Sequence, residues 1–302
     1  MASRATDQFT NRQLGLLGLN EPPFRTSADP RFLYLTDQYK GALSRLQDSI
    51  SWREGLSVIE GPIGTDKTTL ARRLFELCNQ EDELQPVYIH TARYNSPIAA
   101  LRDIADTFRQ APRKSYTAQI RGFEEFLIAL REKNKNPVLI IDDAQMMSHD
   151  SLQPIQDLLN FDLSSKLIQI ILFGQPEIHE NFARVPSLLD RVVFWHKLGA
   201  FTYSDMVRML QFRLDVAGRR EPLFTDQAMN LLFSFSKGIP RPLIIVCNET
   251  LRVMVRTGRF EAGESEIQEA IDIYNQRPRS EGESEPQEAI DTNNQTPRSE
   301  NG

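Results

Sequence analysis

The chain has 302 residues, 40% of them hydrophobic, which is enough to bury the core of one large globular domain or two moderate ones. Its net charge is −6, but residues 263–302 contain ten acidic and three basic residues, so the rest of the chain is close to neutral. The charge therefore neither requires nor excludes a basic groove for DNA.

Membrane spans, secretion and disulfide frameworks are not expected. The longest apolar runs, residues 138–141 and 167–173, are far shorter than the roughly 20 residues that a membrane-spanning helix needs. The N-terminus has no continuous apolar stretch of the kind found in secretory signals. The two cysteines of the sequence fall within apolar helical patterns. We expect a cytoplasmic protein with no membrane segment.

Short apolar runs alternate with amphipathic helical patterns up to about residue 200. Apolar strands separated by helices indicate a parallel sheet covered on both faces. The predicted strands are residues 57–60, 86–90, 137–142 and 167–174, and the predicted helices are residues 68–78, 97–109 and 120–132. Helical patterns dominate farther along the chain. We predict an α/β domain over residues 1–200, followed by a small helical lid over residues 201–262.

An acidic tail is predicted for residues 263–302. The stretch Glu264-Ser265-Glu266-Ile267-Gln268-Glu269-Ala270-Ile271-Asp272 returns with little change at residues 283–291, where Pro286 takes the place of Ile267. The first copy is compatible with a helix that ends near Tyr274. Because proline interrupts helices, we expect the second copy to be disordered.

A glycine-rich loop follows the first predicted strand and precedes a helix. Its residues are Gly61, Pro62, Ile63, Gly64, Thr65, Asp66, Lys67, Thr68 and Thr69. In this order, backbone N–H groups of the loop and the helix N-terminus face a phosphate group, while the lysine neutralises the outer phosphates of a nucleotide. The hydroxyl of Thr68 is suited to bind Mg²⁺. The pattern predicts a P-loop that binds ATP with Mg²⁺.

Asp66 departs from the usual pattern, in which glycine stands immediately before the lysine. Glycine suits that position because the backbone must pass close to the phosphates, whereas a carboxylate narrows the gap and adds like charge. Two unit charges about 4 Å apart repel by roughly 4 kcal/mol at an effective dielectric of about 20, which weakens binding by orders of magnitude if nothing compensates. Solvent exposure of the carboxylate, or Mg²⁺ nearby, would reduce this penalty. The sequence therefore leaves open whether this loop binds and hydrolyses ATP.

Two carboxylates end the third predicted strand. Asp142 and Asp143 follow the apolar run Val138-Leu139-Ile140-Ile141. In P-loop proteins the first carboxylate of such a pair holds Mg²⁺, and the second orients or deprotonates the attacking water. Acidic residues after strands are also common helix N-caps. Asp143 is one methylene shorter than the usual glutamate, so slow hydrolysis is expected.

Three further side chains complete the predicted site. Gln175 follows the fourth predicted strand and is the candidate sensor of the γ-phosphate. Arg191 is a candidate for reaching the site of a neighbouring subunit, and Arg241 for reaching a site from the helical lid. Isolated arginines are more often surface ion-pair partners, so these assignments depend on the order of the motifs along the chain.

Together these motifs resemble the ExeA/GspA-type ATPases, a branch of the AAA+ proteins related to the transposition ATPases of the TnsC and TniB kind. The resemblance covers most of residues 14–256. Besides the loop and the acidic strand end, it is carried by Leu17-Gly18-Leu19-Asn20-Glu21-Pro22-Pro23-Phe24, Gly174-Gln175-Pro176-Glu177-Ile178, Arg213-Leu214-x-x-Ala217-Gly218 and Gly238-Ile239-Pro240-Arg241-Pro242.

The resemblance implies an AAA+ fold that binds ATP and Mg²⁺ between the subunits of a ring or filament, and a role in secretion-machine assembly or in mobile DNA. Besides Asp66 and Asp143, Gln156 departs from the family pattern, because arginine is expected at its position. Three hypotheses stay open: a working ATPase that switches an oligomer, an interaction protein whose loop Asp66 has disabled, and an ATP-dependent DNA-binding regulator of transposition. The protein partner is not identified.

Overall fold

A parallel sheet lies at the centre of residues 13–278, the part of the chain that the computed structural model describes. Its five strands are β1 (Leu56–Glu60), β2 (Leu84–Ile89), β3 (Asn136–Ile141), β4 (Gln169–Gly174) and β5 (Val192–Lys197). They lie side by side in the order β2-β3-β4-β1-β5. The predicted parallel sheet is confirmed, and β5, which was not predicted, is added at one edge.

The three central strands are buried along their whole length, which accounts for their continuous apolar sequences. Their side chains alternate between two layers of the core. Val138 and Ile140 of β3 face one layer, whereas Leu139 and Ile141 face the other. Both faces of the sheet are therefore covered.

Helices pack on both faces of the sheet. On one face lie α1 (Asp37–Ser51) and α2 (Lys67–Asn79). On the other lie α3 (Pro97–Thr107), α4 (Tyr116–Glu132), α5 (His149–Leu158) and α6 (Ile178–Ala183), and α7 (Pro186–Leu189) leads into β5. Helix α4 starts earlier than its apolar pattern indicates because the Ser115 side chain accepts a hydrogen bond from the backbone N–H of Ala118 and caps the helix.

A helical region follows β5, as predicted. It contains α8 (Tyr203–Val216), α9 (Asp226–Ser236), α10 (Pro240–Thr257) and α11 (Glu264–Asn275). The first copy of the tail repeat forms α11, whose Ile267 and Ala270 are buried in the same core as α10. No helix between residues 13 and 278 has the length and apolar character needed to cross a membrane. The N-terminal residues and the second copy of the repeat lie outside the described residues.

The N-terminal segment, residues 14–33, joins the helical region to the sheet. Leu19 and Phe24 are buried in the core that α1, α2 and the helical region share. The ring of Phe24 lies 5.9 Å from that of Phe224, and the backbone N–H of Asn20 donates to the carbonyl of Ala217 at 2.7 Å. These contacts tie the N-terminal segment to the helical region.

Candidate functional site

The predicted site residues collect at the carboxyl-terminal edge of the sheet. Because β4 lies between β1 and β3, the loops that follow these three strands meet there. They border a cavity of about 280 Å³ together with parts of the N-terminal segment and the helical region. The cavity is lined by Arg25, Thr26, Ser27, Ala28, Ile63, Gly64, Asp66, Lys67, Thr68, Thr69, Asp143, Gln175, Arg213, Arg241 and Ile244.

The predicted P-loop, residues 61–69, is the phosphate loop of this site, and hydrogen bonds to its own carbonyl groups hold it in place. The Lys67 Nζ donates to the carbonyls of Gly61 at 2.7 Å and Pro62 at 2.8 Å. The Thr65 hydroxyl also donates to the carbonyl of Pro62, at 2.8 Å. From α1, the buried Tyr39 hydroxyl donates to the carbonyl of Thr65 at 2.7 Å. The loop is thus fixed ahead of α2, whose free backbone N–H groups suit an anion.

Asp66 adopts a left-handed backbone conformation, with φ of 52° and ψ of 27°. This conformation suits glycine, and aspartate adopts it more readily than most residues. Burial raises the pKa of the Asp66 carboxyl, and the positive charges of Arg213, Arg241 and Lys67 oppose that shift. Asp66 Oδ2 lies 3.9 Å from Arg213 Nη2, within ion-pair distance. Sequence reasoning did not predict Arg213 as a site residue.

Thr68 and Asp142, the predicted metal ligands, lie in contact. Burial raises the pKa of Asp142, and a hydrogen bond from the Thr68 hydroxyl opposes the shift. The Tyr88 hydroxyl donates to Asp142 Oδ2 at 3.1 Å, and the backbone N–H of Asp143 donates to Oδ1 at 3.0 Å. A hydroxyl beside a carboxylate is a hard oxygen donor pair that fits Mg²⁺.

Thr68 and Asp142 do not belong to a larger cluster of metal ligands among the described residues. Between residues 13 and 278, no group of three His, Cys, Asp or Glu side chains is arranged to hold a metal. Mg²⁺ commonly binds through one or two protein oxygens together with water and substrate phosphates. Thr68 and Asp142 therefore suit an ion that arrives with a nucleotide.

Gln145 connects Asp143 to Gln175. Its Nε2 donates to Asp143 Oδ1 at 3.1 Å, and its Oε1 accepts from the backbone N–H of Gln175 at 3.0 Å. The carbonyl of Gln145 also accepts from Asn181 Nδ2 at 3.0 Å. One amide side chain thus contacts two of the four predicted catalytic residues, Asp143 through its carboxylate and Gln175 through its backbone N–H. Sequence reasoning missed Gln145 although it closely follows the acidic pair.

Arg241 reaches the cavity from the N-terminus of α10. Its backbone N–H donates to the carbonyl of Gly64 at 3.1 Å. Gly64 has a φ of +87°, and a Cβ built there would lie only 2.8 Å from the Cβ of Arg241. The phosphate loop and α10 therefore meet backbone to backbone, and only glycine fits at the contact.

Arg191 lies away from this cavity. It is not one of the described residues that line it, and its Nη1 donates to the carbonyl of Gln156 at 3.3 Å. The side chain of Gln156, in turn, donates to the Ser187 hydroxyl at 2.9 Å. The structure thus brings together the predicted site residues that act within one subunit, and it separates the one assigned to a neighbouring subunit.

Positive charge predominates among the side chains that line the cavity. Its charged lining consists of the cations Arg25, Lys67, Arg213 and Arg241 and the anions Asp66 and Asp143. Burial lowers the pKa of Lys67 to about 8, and the charges of Asp142 and Asp143 oppose that shift. An excess of cations in a partly enclosed space favours a polyanionic ligand.

Comparisons with known proteins match the chain to one domain family and to two curated relatives. Residues 51–182 match the AAA domain family. The chain is 29% identical over 239 residues to general secretion pathway protein A of Aeromonas hydrophila, a match that covers 78% of this chain and 43% of that protein. It is 22% identical over 157 residues to an uncharacterised HTH-type transcriptional regulator of Methanocaldococcus jannaschii, covering 50% and 38% of the two chains. The chain spans about two fifths of the length of these curated relatives.

Solved structures share the fold at low sequence identity. The Aeropyrum pernix ORC2 protein superposes with a TM-score of 0.63 at 14% identity, covering 86% of this chain and 73% of that one. The Thermotoga maritima RuvB Holliday junction branch migration motor gives a TM-score of 0.53 at 13% identity, covering 80% and 70%. At these identities the likeness concerns the fold alone.

Proposed function

We propose that this chain is an AAA+ ATPase of the ExeA/GspA type that binds ATP with Mg²⁺, because it carries the motifs of that family and is similar to the AAA domain family and to general secretion pathway protein A. Binding or hydrolysis is then coupled to the rearrangement of an oligomer and a partner. One observation supports the proposal most strongly. Lys67, Thr68, Asp143 and Gln175 follow three different strands and border a single cavity with an excess of positive charge.

Binding is assigned to the phosphate loop and its neighbours. The backbone N–H groups at the start of α2 and the amine of Lys67 bind the outer phosphates of ATP. Thr68 and Asp142 hold Mg²⁺, which neutralises phosphate oxygens when it is bound. Arg241 contacts the phosphates from the helical region. The nucleotide therefore lies between the α/β domain and the helical region.

Hydrolysis is assigned to the residues beyond the phosphate loop. Asp143 orients the attacking water and accepts its proton, and Gln175 contacts the γ-phosphate. Gln145 keeps both in place through its two hydrogen bonds. The short side chain of Asp143 reaches less far than a glutamate, so turnover is expected to be slow.

The proposed active form is a homo-oligomer, either a ring or a filament. Arg191 extends from the region between α7 and β5, away from its own cavity. In the oligomer it reaches the γ-phosphate bound by the adjacent copy. We place this protein in the cytoplasm because ATP is available there. It acts on a protein partner, and its relationship to general secretion pathway protein A suggests one from a secretion machine.

A calorimetric titration of the chain with ATP, with and without Mg²⁺, tests the proposed function. Saturable binding that Mg²⁺ strengthens is expected, together with slow release of inorganic phosphate. AMP provides the matched control because it lacks the outer phosphates that Lys67 binds, and it should bind at least about 100-fold more weakly. An absence of saturable binding at millimolar ATP would contradict the proposal.

The affinity for ATP is expected to fall as the pH rises above about 8. The pKa of Lys67 is lowered to about 8 by burial, so the nucleotide-free protein loses this charge in the alkaline range. Bound phosphates favour the protonated amine and raise its pKa, so binding takes up a proton between the two pKa values. Affinity then decreases by up to about tenfold per pH unit in that window.

Titrations between about pH 7 and pH 10, in buffers with different heats of ionisation, measure both the affinity and the proton uptake. The variant Lys67→Arg serves as the control, because arginine stays protonated throughout this range. A constant affinity without proton uptake in the natural chain would show that Lys67 does not titrate in this way.

Duplex DNA is a second candidate partner, favoured by a basic stretch at residues 109–121. It contains Arg109, Arg113, Lys114 and Arg121, all exposed, and no acidic residue. If this surface binds the phosphate backbone, ATP-dependent retention of DNA should decrease steeply with salt. The double variant Lys114→Ala/Arg121→Ala should weaken retention at least about tenfold at moderate salt and leave the affinity for ATP unchanged. Indifference to DNA at low salt would eliminate this candidate.

A further inference from the structure

Asp66 and Arg213 form an ion pair between the phosphate loop and α8. Arg213 Nη2 lies 3.9 Å from Asp66 Oδ2, and the side chains of Arg213 and Asp66 are only 5% and 21% exposed. The pair spans the boundary between the loop and the helical region. Screening by water is weak at such a site, so each charge depends on the other.

The other contacts of Arg213 leave Asp66 as its principal counter-charge. Its Nη1 donates to the carbonyl of Pro23 at 3.3 Å, and its guanidinium lies 5.9 Å from the ring centre of Phe32. Its Nε has no hydrogen-bond partner within residues 13–278. Asp29, the other nearby carboxylate, is already bound by Arg31 at 2.8 Å.

Asp66, for its part, lies among cations on several sides. Lys67 follows it directly, and Arg241 lies across the cavity from the helical region. The charges of Arg213 and Arg241 both act on its carboxyl group. Its carboxylate would repel a bound phosphate, but a buried arginine at ion-pair distance opposes that repulsion with a charge of opposite sign.

We propose that Arg213 is the positioning residue that allows a phosphate loop with aspartate before its lysine to accept a nucleotide. Arg213 holds the Asp66 carboxylate on the side of the helical region and offsets its charge. The loop is therefore fully competent only while α8 is docked against it. This inference rests on the proposed function, because it assumes that the natural chain binds ATP.

The test compares the affinities for ATP of the natural chain, Arg213→Met, Asp66→Gly and the double variant Asp66→Gly/Arg213→Met. Arg213→Met is expected to lose at least about 30-fold in affinity, because it leaves the Asp66 carboxylate unpaired beside the phosphates. The double variant should recover to within about threefold of Asp66→Gly. This non-additivity is the signature of the pair, which a merely structural role of Arg213 would not produce.

Thermal unfolding without nucleotide shows whether the Arg213→Met variant is folded. The melting temperature of Arg213→Met should be about 5 to 10 °C lower than that of the natural chain, with at least about half of the loss regained in the double variant. Arg213→Lys keeps the charge and should retain most of the affinity. If Arg213→Met does not fold, Arg213→Lys and the double variant still measure whether charge at residue 213 matters only when Asp66 is present.

Different results overturn different statements. If replacing Arg213 caused equal losses in the natural chain and in the Asp66→Gly variant, the inference would be overturned and ATP binding would stand. If the natural chain did not bind ATP and Asp66→Gly did, Asp66 would be shown to disable the loop in spite of Arg213. If none of the chains bound ATP, including Asp66→Gly, the proposed function itself would fail.

Discussion

Replacement of Lys67 by alanine is expected to lower the affinity for ATP by at least about 100-fold. The Nζ of Lys67 now donates to two loop carbonyls and borders the cavity, so it needs only a change of hydrogen-bond partner to reach a phosphate. Charge-assisted hydrogen bonds of this kind contribute about 1.5 to 3 kcal/mol each. The loss of two corresponds to about two to four orders of magnitude in the dissociation constant.

Calorimetric titration with ATP measures this loss, and the exposed Lys133→Ala provides a control that removes the same charge elsewhere. Circular dichroism of both variants verifies the fold. Because the Lys67 amine is buried with a lowered pKa, its removal should cost little stability. An affinity of Lys67→Ala within about threefold of the natural chain would exclude the cavity as the phosphate site.

Asp142→Asn should abolish the effect of Mg²⁺ on ATP binding and reduce phosphate release at least about 100-fold. The amide keeps an acceptor for the Tyr88 hydroxyl, but it removes the negative charge through which this residue is proposed to bind Mg²⁺. In the absence of Mg²⁺, the variant should bind ATP as tightly as the natural chain or more tightly, since one repelling charge beside the phosphates is gone. Titrations with Mg²⁺ and with a chelator measure both effects.

The neighbouring variant Asp143→Asn is the matched control. It removes the same charge one residue farther along, from the proposed general base. It should keep Mg²⁺-dependent binding and lose about 100- to 10,000-fold in turnover. If Asp142→Asn still responded to Mg²⁺ and Asp143→Asn did not, the two roles would have to be exchanged.

The local order of residues was enough to predict the fold class. A strand, glycine-rich loop and helix between residues 57 and 78 define one unit, and the apolar run of β3 before Asp142 defines a second. Both units are recognisable from residues that are close together in the sequence. The first requires glycines where the backbone approaches a phosphate, and the second requires an apolar run that a buried parallel strand accommodates. The resemblance to ExeA/GspA-type ATPases, built from these motifs, was likewise correct.

Strand β5 was missed because it does not look like a buried strand. It lies at the edge of the sheet, most of its residues are only partly buried, and it ends in His196 and Lys197. An edge strand needs to bury fewer side chains than a central one, so its sequence carries a weaker apolar signal.

The partners of Asp66 and Asp143 could not be predicted for a different reason. Arg213 meets Asp66 only because the helical region folds back onto the phosphate loop. Gln145 joins Asp143 to Gln175 only because β3 and β4 are neighbours in the sheet. Such contacts depend on tertiary packing, which periodicity along the chain does not encode. These contacts also change the interpretation of Asp66. From the sequence its negative charge has no counter-charge, whereas in the structure it lies beside the buried Arg213.

Because Gly64 and Arg241 meet through their backbones, mutations can separate two properties of the helical region: its contact with the phosphate loop and the positive charge that it adds to the cavity. The hydrogen bond that joins them uses the backbone N–H of Arg241, so any residue except proline at this position can make it. A neutral residue in place of Arg241 removes a positive charge and keeps the backbone hydrogen bond to Gly64. A larger uncharged residue in place of Gly64 forces the phosphate loop and α10 apart and changes no charged side chain. The contact between the phosphate loop and α10 thus depends on residue 64, whereas the positive charge at the cavity depends on residue 241.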